Sequence, residues 1–214
     1  MHIHISRLAG IIFLLFLSYT HCNALDSRER AAMIDSLQGQ LSIAPTAADS
    51  IKPLYDIFDM SYGLERDKLA HQLYLTARQA KNDPVRLDML RNIANQNWRN
   101  DSILQYVSSE LKSMKQTPEV ISTRLFTDMI CIDNLLFNEH AGRSREQLLE
   151  YVRRYSNEVP SDDYDRAVLL YAVCRYLGEE TRGDLLENYL ERLDKLVETM
   201  NLPDGAVRRL IYNR

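Results

Sequence analysis

The chain has 214 residues, of which 45% are hydrophobic and 26% charged, and its formal net charge is −4. That balance is ordinary for a folded protein and excludes an intrinsically disordered polymer. The acidic excess gives no electrostatic reason to expect nucleic acid, which normally needs a basic face.

The first segment, "MHIHISRLAGIIFLLFLSYTHCNALD", has a weakly basic start at Arg7 and an apolar run from Leu8 to Leu17 before it turns polar. That run is shorter than the roughly 20 residues that span a bilayer, and fits the core of a secretory signal. Small residues at Cys22 and Ala24 predict a signal peptide over residues 1–24, cleaved after Ala24. The rival reading makes Cys22 an acylated first residue, but Tyr19-Thr20-His21 match a lipoprotein signal poorly. The mature part carries 25 basic against 30 acidic residues, and no later segment approaches membrane-spanning length. An exported, periplasmic location is expected.

Export changes how the remaining cysteines read. Cys131 lies in "DMICIDNLLF" and Cys174 in "LLYAVCRYL", both apolar helical runs. There a cysteine is a small buried hydrophobe, a disulfide partner in an oxidising compartment, or a reactive nucleophile. Two cysteines do not make a disulfide framework or a zinc site.

Downstream, apolar residues recur at spacings of three and four and predict an all-α protein without strands. "SRERAAMIDSLQGQLSIAP" reads as one helix with Ile34, Leu37 and Leu41 inward, so residues 25–45 form an N-terminal helix and linker that covers the first hairpin. Further stripes run through Leu69, Ala70, Leu73, Tyr74, Ala77; Leu87, Leu90, Ile93, Ala94; and Ile103, Leu104, Val107, Leu111, Met114. Leu148, Leu149, Val152 and Tyr155 form another, with Ser144 and Gln147 as a capping box ahead of it. "AVLLYAVC" (Ala167–Cys174) is apolar all round and should be sandwiched between neighbours. The last long helix, "GDLLENYLERLDKLVETM", is amphipathic, with Thr181 and Asp184 resembling a capping box.

Prolines 45, 84, 118, 160 and 203 are separated by 39, 34, 42 and 43 residues. Pro84, Pro118 and Pro160 sit where helices should begin, with Asp83 and Thr117 as caps for two of them. Pro53 falls early in a helix that begins near Asp49. Each interval has room for two helices and a turn, which predicts helical hairpins over 46–82, 84–116, 118–158 and 160–201. A further, truncated hairpin opens over 203–214 in "LPDGAVRRLIYNR". This period suits a degenerate tetratricopeptide-like α-solenoid of about four hairpins; a single irregular helical bundle is the alternative.

The search for chemistry finds no Gly-rich phosphate loop, nucleophile elbow, zinc-protease helix or calcium loop. After the signal only His71 and His140 remain, neither with a second metal-type residue at a ligand spacing. The acidic run "SDDYDR" (Ser161–Arg166) reads as helix capping, with a cation site as the sharper alternative. Basic pairs such as "VRRY" (Val152–Tyr155) read as solvated faces. The 12 tyrosines either fill joints between helices or grip a peptide on a concave face. Nine of them, Tyr62 included, are assigned to helical stretches. No residue is assigned as catalytic, cofactor-binding or metal-ligating, and no cofactor is expected.

"RERAAMIDSLQGQL", "SIKPLYDIFDMS", "RLDMLRNIANQ" and "YDRAVLLYAVCRYLGEETRGDLLENYLERLDKLVETM" resemble the exported N-terminal region of bacterial membrane sensor histidine kinases. In that family, tetratricopeptide-like hairpins outside the inner membrane precede a membrane helix and a cytoplasmic kinase; related regulators carry a DNA-binding output. The resemblance implies a periplasmic protein-binding or sensing module, a fragment of a signal-transduction protein with a protein or peptide partner. Membrane tethering would then come only through a missing C-terminal segment. The sequence departs from the family in having no later membrane helix, phosphoacceptor-histidine segment or ATP-binding segment, so no kinase activity is expected here. The alternative is a stand-alone periplasmic helical-repeat scaffold or assembly factor.

Overall fold

A computed structural model describes residues 27–137, 141–180 and 182–203, together with positions 207 and 211. The expected signal peptide over residues 1–24, His140 and Thr181 lie outside the described residues. Among the described residues the protein is all-α, with no strand. The helices are α1 (27–42), α2 (Ala47–Met60), α3 (Gly63–Gln79), α4 (Asp83–Gln96), α5 (Asp101–Ser113), α6 (Pro118–Phe137), α7 (Ala141–Asn157), α8 (Asp163–Glu179) and α9 (Gly183–Thr199). Val207 and Ile211 are also helical, one turn apart, and buried. The chain divides into two compact units, one ending at Asn82 and the other beginning at Asp83.

In the first unit α2 packs on α3. Leu54, Ile57 and Phe58 face inward from α2, and Ala70, Leu73, Tyr74 and Ala77 from α3, all at 3% exposure or less. Both sets follow the three–four spacing of one helical face. The helix α2 begins at Ala47, two residues before Asp49, because the Thr46 hydroxyl accepts the Asp49 amide at 3.3 Å. Pro53 therefore lies beyond the first turn, where it is buried and removes the backbone bond to the Asp49 carbonyl. The turn into α3 is held by Arg66, which donates to the Phe58 carbonyl at 2.9 Å and lays its guanidinium 3.8 Å from the Phe58 ring centroid. Gly63 opens α3 at φ +55°, so Tyr62 stands outside the helix and is exposed. In α1, Leu37 is buried and Ile34 and Leu41 are half-buried.

In the second unit each helix packs on the next, and α6 also packs on α4 and on α8. Eleven of the 20 residues of α6 are buried, because α4, α5, α7 and α8 all surround it. Helix α8 lies against α6, α7 and α9, and the whole run Leu169–Cys174 is buried. The all-round apolar pattern of "AVLLYAVC" has this physical meaning.

Four helix starts of the second unit differ from the expected ones. Helix α7 begins at Ala141, so Ser144 lies inside it and is not its cap. Asp83 is the first residue of α4 and pairs with Arg86 at 2.9 Å; it stands inside the helix it was expected to cap. Helix α8 begins at Asp163, three residues after Pro160, because the Asp162 carboxylate accepts the Asp165 amide at 3.0 Å. Helix α9 follows Arg182, which makes no side-chain cap. Pro118 is the first residue of α6, with the Thr117 hydroxyl accepting the Val120 amide at 3.4 Å.

Candidate functional site

Polar side chains buried in α6 tie it to three neighbours. Arg91 of α4 donates to the Thr123 hydroxyl at 2.8 Å, and the Asn134 amide donates to Asp101 of α5 at 2.5 Å. From α8, the Tyr171 hydroxyl donates to the Asp133 carboxylate, whose Oδ1 lies 2.8 Å from Arg175 Nε. Such buried groups are costly when unpaired, so each link fixes the rotation of one helix against another.

Beside this hub, a cleft of about 510 Å³ opens between α5, α6 and α7. Each helix contributes one stripe. Asp101, Leu104 and Gln105 come from α5, and Cys131 and Leu135 from α6. Gln147, Glu150, Tyr151 and Arg154 come from α7, at the three–four spacing of a single face. The neighbouring face of α7, with Leu148 and Tyr155, is buried. Burial of that apolar face turns the polar stripe toward α5 and leaves it lining the cleft. The two leucines give an apolar floor between walls of carboxylates, amides and a guanidinium.

Burial is the leading influence on the titratable groups at the floor. Asp128, one turn before Cys131, is raised by burial, against the opposing pull of the Tyr164 hydroxyl it accepts and of Arg124 and Lys112. Burial, followed by the Asp128 and Asp101 charges, pushes the Cys131 thiol up to about 12. The Tyr151 phenol is likewise raised by burial and then by Asp128. Near neutral pH the floor therefore presents a thiol and a phenol, not their anions. These groups bind by hydrogen bonding and are poorly suited to nucleophilic attack. At the rim, Arg154 lies 3.8 Å from Asp165 and Glu150 lies 3.7 Å from Arg153.

A second groove, of about 500 Å³, runs between α4 and α6, with Asp83, Asp88, Arg91, Lys115 and Glu119 among its lining residues. Its charges are mixed, and the Arg91–Thr123 hydrogen bond joins its two walls.

The acidic run Ser161–Arg166 is spent on structure and on this region. Asp162 caps α8, Asp163 pairs with Arg166 at 2.9 Å, Tyr164 donates to Asp128, and Asp165 faces Arg154. Among the described residues no group of three His, Cys, Asp or Glu side chains is placed to hold a metal ion. His71 is half-buried on α3, in the first unit. Cys131 and Cys174 are both unbridged, and the Cys174 thiol is also pushed up to about 12 by burial. Among the described tyrosines, Tyr74 and Tyr171 are fully buried joint-fillers, and Tyr151 alone lines the cleft. Sequence reasoning missed Gln105, Gln147, Glu150 and Arg154, because a polar stripe on an amphipathic helix reads as its solvated side.

No helix among the described residues is long and apolar enough to cross a membrane. No family model, no curated protein and no solved structure matches the chain.

Proposed function

We propose that this chain is a protein-binding module of stacked helical hairpins, and that the cleft between α5, α6 and α7 holds a segment of the partner. The packing order supports the stacked arrangement: α4, α6 and α8 lie in succession, with α5, α7 and α9 each against the helix before it. That is the nearest-neighbour pattern of a tetratricopeptide-like solenoid, in which each hairpin contacts only the hairpins beside it.

The observation that carries the binding reading is the cleft. It combines an apolar floor, Leu104 and Leu135, with amide donors and acceptors on facing walls, Gln105 and Gln147. Pockets of this composition hold small ligands or peptide segments through a few placed polar groups. The apolar run at residues 8–17 favours an exported site of action, and the resemblance to the outer part of sensor kinases favours a sensing role.

The test is a selection of displayed random peptides on the folded protein, followed by affinity measurement on a Gln147→Trp variant that fills the mouth of the cleft. Selected peptides should bind the wild-type protein and lose about tenfold or more on the variant, on the order of one well-packed contact. Failure to select any peptide, or equal binding by the variant, would overturn the assignment.

A further inference from the structure

The charges around the cleft are unequal, and their placement indicates what kind of side chain enters it. Asp101 stands on the α5 wall and Glu150 on the α7 wall, with Leu104 and Leu135 between them. One cation, Arg154, also lines the cleft, but its guanidinium is drawn toward Asp165 of α8 at 3.8 Å. Glu150 has Arg153 at 3.7 Å, an exposed pair three residues apart on one helix, which holds a carboxylate only weakly. Asp101 is oriented by Asn134, which donates to its Oδ1 at 2.5 Å. Asp128, one turn before Cys131 on α6, acts on the Cys131 thiol and has Arg124 and Lys112 as its cationic influences.

We infer that the cleft takes a lysine or arginine side chain of the partner polypeptide, its charged end between Asp101 and Glu150 and its aliphatic stem along Leu104 and Leu135. Long basic side chains pair an apolar stem with a charged tip, which is the order in which floor and walls are arranged. A polypeptide fits better than a free amine, because Gln105 and Gln147 offer both donors and acceptors to main-chain amides. The same sign of field is felt by the side chains already there: beyond burial, the largest influence on both Cys131 and Tyr151 is a carboxylate. This inference rests on the peptide-binding reading and specifies the residue that anchors the peptide.

The experiment places a tether in the cleft. Gln105 is exposed on α5, so a Gln105→Cys variant carries an ordinary, reactive thiol at the rim. The variant is equilibrated with the symmetric disulfides of N-acetyl-cysteinyl-lysinamide, its glutaminamide and glutamic amide counterparts, cysteamine and mercaptoethanol. In each exchange the protein thiolate attacks one sulfur of the probe disulfide, and the other half leaves as thiolate and takes up a proton. Adducts at position 105 are quantified by peptide mapping and normalised to the same mixture on the urea-unfolded chain.

The lysine dipeptide should be enriched about threefold over the glutamine one and more over the glutamate one, the size expected of a partly exposed ion pair. The enrichment should vanish when Asp101→Asn and Glu150→Gln are added. Equal enrichment of all three dipeptides over mercaptoethanol would overturn the basic anchor while leaving peptide binding intact. Cysteamine enriched as strongly as the lysine dipeptide would replace the polypeptide with a free amine. No enrichment of any probe over mercaptoethanol would overturn the peptide-binding reading itself.

Discussion

Tyr171 of α8 donates its hydroxyl to both carboxylate oxygens of Asp133 on α6, at 2.9 Å each, and both residues are buried. The bond is charge-assisted, and Arg175 Nε at 2.8 Å completes the group. Loss of the hydroxyl in Tyr171→Phe leaves a buried carboxylate short of a donor. The expected cost is about 1–3 kcal/mol, read as a lower urea midpoint with an unchanged slope. A shift of less than about 0.5 kcal/mol, the range of ordinary surface changes, would mean that the bond does not hold α8 to α6.

Asp128 gives a pH signature. Its carboxyl is raised in the folded protein, with burial the leading cause, so the folded state binds its proton more tightly than the unfolded chain does. A raised carboxyl contributes stability below its unfolded value and loses it as pH climbs through the folded one. Asp128→Asn, which keeps an acceptor for Tyr164 and removes the charge, should therefore melt higher than wild type at pH 7. The difference should shrink as pH falls into the carboxylate range, where Asp128 is itself neutral. A variant that melts lower at pH 7, or a difference independent of pH, would contradict this account.

Among the described residues Gly63, Lys81 and Asn201 adopt left-handed backbone, and the first two make a paired test. Gly63 sits at φ +55° with nothing within 4 Å of where a Cβ would stand, so Gly63→Ala costs only backbone strain, about 1 kcal/mol. Lys81 adopts φ +55° with a side chain present, at the exit of α3, where the Asn82 amide reaches back to the Ala77 carbonyl at 2.8 Å. Lys81→Gly should stabilise by a similar amount less the added chain entropy, so its melting temperature should rise by a degree or more. Opposite signs for the two substitutions are the check; the same sign for both would remove the argument.

Thiol chemistry should be slow. Cys131 and Cys174 are both pushed up to about 12 against an ordinary thiol near 8.5, so the reactive thiolate is on the order of a thousandfold scarcer at pH 7.5. Iodoacetamide labelling of the folded protein should be correspondingly slow at both positions and speed up about tenfold per pH unit through pH 9. Labelling at the rate of the urea-unfolded chain would show that burial does not control either sulfur.

The helices were legible from the sequence because burial on one face leaves a three–four stripe. Leu73, Tyr74 and Ala77, or Leu90, Ile93 and Ala94, are read on sight and are fully buried. The ends of helices were less legible. Ser144 with Gln147 has the chemistry of a cap, yet α7 starts three residues earlier, and Asp162 in place of Pro160 sets the start of α8. Of the candidate site, the sequence offered Cys131 and the tyrosines as candidates but not the cleft that brings Cys131 and Tyr151 together. Asp133 and Asn134 stand inside "CIDNLLF", and that polar pair within an apolar run was the available signal of buried links to other helices. Nothing local marks Gln147, Glu150 and Arg154: whether such a stripe meets water or a facing helix is decided by tertiary packing.

The central claim is that a partner polypeptide lies between α5 and α7. The most direct measurement is amide hydrogen exchange of the protein with and without a selected peptide. The account predicts slowed exchange over Asp101–Gln105 and Gln147–Arg154, with little change in α2 and α3 of the first unit. Protection confined to α2 and α3, or to the groove between α4 and α6, would contradict it.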